Sequence, residues 1–306
     1  MAFTPTGTVR LADLDHAKAA ILKRVLSTVL CSRTTKDVFA QVIDGLPIKS
    51  TYELTITRRY ELLSRMEPSQ RSRLLSGQFC SSSELFDSLN LNARTAELYQ
   101  MAPLYSQTFN LYLLELVAVA VHDLAATLFH RFHPDGEPRL ERVNEPSSQQ
   151  QQQGPISLST MCYLRRNIYP RGVCDVVGYW AEAHVFARKT SRTDFASKSA
   201  FASQCYAAYV HPPYPADMFQ LVDHQIEQFA ALASQQKNDT CILPFICSPG
   251  ARKLNPNYAF LNLNIYRDRY ERQLSPIPRG GYCVRRLEDD SDLKNFINKA
   301  NQMFSK

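Results

Sequence analysis

The sequence predicts an α+β protein: an all-helical N-terminal lobe over residues 1–133, a polar Gln-rich linker over 134–155, and an α+β lobe over 156–306 in which a small antiparallel sheet carries flanking helices. Three observations predict it. Apolar residues recur at helical spacing as far as about residue 133. A polar stretch of low complexity, Asn144 to Pro155 with the run Gln149 to Gln153, then interrupts the pattern. Beyond it, runs rich in β-branched and aromatic residues take over. The Gln-rich stretch has no hydrophobic anchor, so burial there cannot offset the entropy of ordering the chain.

In the front lobe Leu11, Leu14, Ala17, Ile21, Val25 and Leu30 form one helical stripe. Thr34-Thr-Lys-Asp37 is a capping signal for a short helix, Val38 to Ile43, ended by Gly45 and Pro47. Ser50 or Thr51 caps a further segment running to Met66, and Pro68 begins one that reaches Gly77. Ser81-Ser-Ser-Glu84 has capping-box spacing before Leu85, Phe86 and Leu89. Helical pattern resumes at Ala93 and, past Pro103, continues to about His130. The apolar run Leu111 to Val121 contains Glu115 and is flanked by His122 and Asp123. It falls short of the roughly 20 apolar residues that span a bilayer, and reads as a core helix rather than a membrane segment.

In the back half Ile156 to Leu164 and Val173 to Arg188 read as strands, the second long. Lys189 to Ser203 reads as a polar excursion, and Gln204 to His211 as a strand stopped by Pro212-Pro213. Met218 to Ser234 has helical spacing. Ile242 to Ile246 and Ala259 to Tyr266 fit either strand or short helix. Tyr282 to Leu287 reads as a strand and Asp290 to Met303 as an amphipathic helix.

With 306 residues, 44% hydrophobic and 21% charged, the chain is long enough to bury a sizeable core. The net charge of +6 is small beside 35 basic and 29 acidic groups, so it permits nucleic acid or acidic lipid as a partner without requiring either. The first ten residues lack the apolar core of a secretory signal. The eight cysteines form no Cys-x-x-Cys pair and no zinc-finger spacing. The expectation is a soluble protein of the cytoplasm, or of the nucleus, with reduced thiols and neither cofactor nor metal. Phosphate loops, nucleophile elbows and dinucleotide fingerprints are absent from the sequence, and ten glycines leave little material for them.

The stretch richest in chemistry is Asp175-Val-Val-Gly-Tyr-Trp-Ala-Glu-Ala-His184. As a strand it places Trp180, Glu182, His184 and Phe186 on one face. A carboxylate and an imidazole two residues apart could form an acid/base pair. A neighbouring strand would bring Tyr209 and His211 toward them, making Glu182, His184 and His211 candidate catalytic residues and Trp180 and Tyr209 candidate ligand contacts. The competing interpretation is a half-exposed sheet face with a cross-strand pair.

A second cluster comprises His122, Asp123, His130, His133 and Asp135. His122 and His130 stand eight residues apart, about 12 Å along a helix, too far for one metal to bridge. His130, His133 and Asp135 could supply ligands, or the histidines could face a helix C-terminus. The third feature is a set of basic residues among aromatics, including Arg165-Arg166, Arg252-Lys253 and Ile265-Tyr-Arg-Asp-Arg-Tyr-Glu-Arg272. Such interleaving suits single-stranded nucleic acid. Asp268 and Glu271 also make it suit local ion pairs on a solvated helix.

Cys174-Asp-Val-Val-Gly-Tyr-Trp-Ala-Glu182, Val210-His-Pro212 and Ile265 to Arg272 together resemble a family of uncharacterised intracellular proteins of filamentous ascomycete fungi. In that family a hydrophobic strand containing Gly-Gly follows the Trp-Ala-Glu segment. This chain departs from it, with Val185-Phe-Ala-Arg188 and the polar 189–203 stretch in its place. The resemblance implies a fungal, intracellular setting and supplies no activity, cofactor or site. Two function classes follow from the sequence: a non-enzymatic interaction or regulatory protein with a protein partner, or a hydrolase- or transferase-like enzyme using Glu182 and His184 with His211.

Overall fold

The computed structural model describes residues 7–52, 66–82, 84–87, 89–135, 158–159, 168–186, 207–210, 218–234, 243–255 and 259. Its front half is built from helices. A 3-10 turn at Leu11–Asp13 leads into α1 (His16–Cys31), whose N-cap Asp15 accepts from the backbone N–H groups of Ala17 and Lys18. Ser32 caps α2 (Arg33–Asp44) through the Thr35 N–H, two residues before the predicted signal. Gly45, at φ 69°, closes that helix in the left-handed conformation that glycine adopts without steric cost. A short α3 (Lys49–Tyr52) follows. Ser69 caps α4 (Gln70–Ser81), which runs past Gly77, and α5 (Glu84–Asp87) is a single turn.

The prediction that residues 1–133 are all-helical needs one correction. β1 (Thr8–Arg10) pairs antiparallel with β2 (Asn90–Asn92), Val9 opposite Leu91. Three-residue strands are too short to show alternation, so periodicity misses them. Asn92 then caps α6 (Ala93–Met101). Pro103 lies in the break before α7 (Gln107–Phe132), the longest described helix. By length and composition α7 could cross a bilayer, being longer than the apolar run read from sequence, but 78% of its apolar window is buried inside the protein. Helices α1, α2, α6 and the back half wrap around it.

The larger correction concerns Val173 to Arg188. This stretch is not a strand: Val173–Phe186 forms the helix α8. Every residue from Asp175 to Phe186 is buried. A helix buried on all sides has no solvent-facing polar face to set an amphipathic period, and Val, Tyr, Trp and Phe give it the local propensity of a strand. Packing overrides propensity here, because α8 lies along α7 and seals it. Burying Trp180 alone, at 0% exposure, contributes on the order of 4–6 kcal/mol at about 25 cal/mol per Å² over roughly 150–250 Å².

The small antiparallel sheet is present as β3 (Tyr209–Val210), β4 (Met218–Gln220) and β5 (Lys253–Leu254), in that order. Val210 faces Phe219, and Phe219 faces Lys253. The predicted helix from Met218 therefore begins as a strand, and the helical part is α9 (Asp223–Ala231). Phe229 of α9 packs between Phe186 and Phe245, with centroids 6.4 and 6.1 Å away, while the Phe245 N–H donates to the Phe186 carbonyl. Residues of both halves, from Leu11 to Phe245, form one continuous hydrophobic core. The Gln-rich stretch, the strands expected near 156–164 and 282–287, the polar 189–203 excursion and the terminal helix lie outside the described residues, apart from Leu158 and Ser159.

Candidate functional site

Helical geometry redistributes the residues of the Asp175–His184 stretch. Consecutive residues advance about 100° around the axis, so Asp175, Gly178 and Glu182 fall on one stripe while Trp180 and His184 fall on another. The predicted pairing of Glu182 with His184 on a common face is therefore not present. Glu182 turns to α7 and His184 lies against Trp180, ring centroids 4.4 Å apart. Tyr209 is buried in β3, its hydroxyl donating to Gln220 Oε1 at 3.4 Å. His211 lies outside the described residues.

What the helix brings together instead is His122 of α7 with the acidic stripe of α8. The His122 Nε2–H donates to Asp175 Oδ1 at 3.1 Å, and Nδ1 lies 3.8 Å from Glu182 Oε2. Gly178, between the two carboxylates, lets the imidazole lie against the helix backbone, and the Tyr179 ring flanks it at 4.1 Å. Tyr169 meets Tyr179 edge-on at 5.1 Å. Arg171, in the turn before α8, ties the cluster together. Its backbone N–H and Nε donate to Asp175 at 2.9 and 2.8 Å, and its Nη2 donates to Asp123 Oδ1 at 2.6 Å.

Burial and charge oppose one another at Asp175. Burial pushes its carboxyl up. The hydrogen bond and charge of His122, followed by Arg171, outweigh burial and hold it well below the usual carboxylate range. The side chains of Asp175 and Glu182 are 2% and 5% exposed, so both need compensating partners. At His184 burial wins and pushes the imidazole down to about 4, against the opposing backbone groups of Trp180 and Thr51. Its Nδ1–H donates to the Trp180 carbonyl at 2.8 Å, which fixes the neutral tautomer.

Of the other candidates, His133 has structural partners. His133 stands at the end of α7, and its Nε2–H points at the carbonyls of Val42 and Ile43, 3.2 and 3.0 Å away, at the C-terminus of α2. His130 is exposed on the last turn of α7. No group of three His, Cys, Asp or Glu is placed to hold a metal ion among the described residues. Burial pushes the thiols of Cys80 and Cys174 up, Cys80 to about 12, so neither is primed as a nucleophile. Of the basic residues singled out in the back half, Arg252 and Lys253 are described and exposed. A shallow cavity of about 380 Å³ lies elsewhere, between the β1 turn and α6, lined by Val9, Leu14, Ala96 and Met101.

Sequence reasoning had named His122, Asp123 and Glu182 but assigned them other partners, and it missed Arg171 and Asp175 as participants. The usable signal was the seven-residue spacing of Asp175 and Glu182 about Gly178, which is two helical turns. No family model, no curated protein and no solved structure matches the chain.

Proposed function

We propose that this is a non-enzymatic interaction or regulatory protein acting on a protein partner inside the cell. One observation carries this reading: the acid/base groups of the Asp175–His184 stretch face the interior. Asp175, His122 and Glu182 join α8 to α7, and His184 is held by its own helix's Trp180 carbonyl. A general acid or base must reach the proton that it moves, whereas these groups reach each other. The resemblance to fungal proteins supports a fungal, intracellular setting. The free thiols of Cys31, Cys80, Cys174 and Cys247 are compatible with it.

The test is in-cell cross-linking of the tagged full chain in its native host, followed by mass spectrometry and reconstitution with the purified partner. The reading expects a reproducible 1:1 or higher-order complex that survives Glu182→Gln and His184→Gln wherever those variants fold. Turnover of a substrate that is abolished by Glu182→Gln with folding intact would overturn it. So would a chain that stays monomeric and uncross-linked in the cell.

A further inference from the structure

We propose that His122 is held as an imidazolium and acts as a proton-dependent latch between α7 and α8. The inference rests on the geometry of this seam and stands apart from the interaction reading. Both ring nitrogens face carboxylate oxygens, Nε2 at 3.1 Å from Asp175 and Nδ1 at 3.8 Å from Glu182. A neutral imidazole has one N–H, so in either tautomer one carboxylate faces a nitrogen lone pair. The imidazolium turns an N–H to each.

The surrounding groups are consistent with that proton. Among the described residues, α8 presents Asp175, Glu182, Cys174 and the Tyr179 ring to this region, α7 adds Asp123, and the turn before α8 adds Arg171 and Tyr169. Arg171 thus pairs with Asp123 and Asp175, and a proton on His122 places a second positive charge between Asp175 and Glu182. The ring cannot swing away by sinking into α8, because Gly178 already lies against it. Seven residues of α8, two turns, are spanned by the two contacts, so one proton secures much of the helix.

The sign follows from linkage. A histidine that gains anionic partners on folding contributes stability that is fully present below its unfolded value, about 6.5, and is lost as pH rises through the folded value. The seam therefore loosens on the alkaline side.

The test is ring-nitrogen NMR of the ¹⁵N-histidine-labelled full chain across pH 6 to 10, with His122 assigned through its contact with Tyr179. The latch expects the imidazolium pattern to persist at about pH 8, at least tenfold above the proton affinity of a free histidine. It also expects thermal stability to fall as that pattern is lost. Glu182→Gln should lower the proton affinity of His122 tenfold or more. A neutral His122 at pH 7 in the unmodified chain overturns the proposal, as does a melting temperature that stays flat through its titration. Both of those readouts use the unsubstituted protein, so they decide the matter even if Glu182→Gln fails to fold.

Discussion

A methyl group on Gly178 would stand 2.9 Å from Cε1, Nδ1 and Nε2 of His122, so this glycine and this imidazole share a contact with no room to spare. Alanine gains about 1 kcal/mol over glycine as a helix former. Forcing a methyl against a buried ring costs roughly 1–3 kcal/mol. Gly178→Ala should therefore destabilise the protein despite its better propensity, read as a lower urea midpoint with unchanged slope. A raised midpoint would mean that the ring can retreat.

Asp175→Ala removes the acceptor for His122 and for two donors of Arg171, leaving the buried His122 ring without that partner. Breaking one side of such a pair typically costs about 3–5 kcal/mol. The carboxylate's contribution has a defined acid limit. Because the Asp175 carboxyl is held below its ordinary value of 3.8, its stabilisation is complete above that value and is lost only as pH falls beneath it. Denaturation of the alanine variant should accordingly lack part of the strong-acid dependence of the unsubstituted chain.

His184 should act at milder acidity and with the opposite sign to His122. Its folded value of about 4 lies below the ordinary 6.5, so the unfolded chain binds the proton more readily. Stability should decline as pH drops from about 6.5 to 4, by on the order of 3 kcal/mol, and then level off. Equilibrium unfolding of the parent chain and His184→Gln over this range checks the assignment. The variant's profile should be the flatter one.

Tyr105 sits at φ 62° in the α6–α7 connection, 71% exposed and with its ring edge-on to Phe109 at 6.1 Å. A non-glycine residue held there stores about 1–3 kcal/mol of strain. Tyr105→Gly should leave the melting temperature unchanged or raise it, although a ring contact is lost. Tyr105→Val, which is β-branched, should lower it.

Much of the front half was legible because its helices are amphipathic and end in recognisable chemistry: Gly45 closes α2, and α7 starts beyond Pro103. Ser32 and Ser69 lie within two residues of the predicted starts. Val173 to Phe186 was illegible for a physical reason. Surrounded on every side, it has no exposed face to set a period, and its Val and aromatic content mimics a strand. The strand expected over Val173 to Arg188 is longer than most strands, which was the one available warning. The candidate site shared that fate. His122 and Glu182 were visible as chemistry, but the faces they occupy depend on the helix, so their true partners could not be read without it.

Helix α7 packs against the front-half helices α1, α2 and α6 and also against α8 and α9, and that shared occupancy determines how the chain can be divided. A fragment ending near residue 135 would carry α7 with the His122 flank bare, whereas the remainder would carry α8 with its carboxylates facing water. Neither piece is a self-sufficient unit. Cleavage of the backbone within 136–157 should instead yield two polypeptides that stay together as a complemented pair, separable by denaturant and re-formed on mixing.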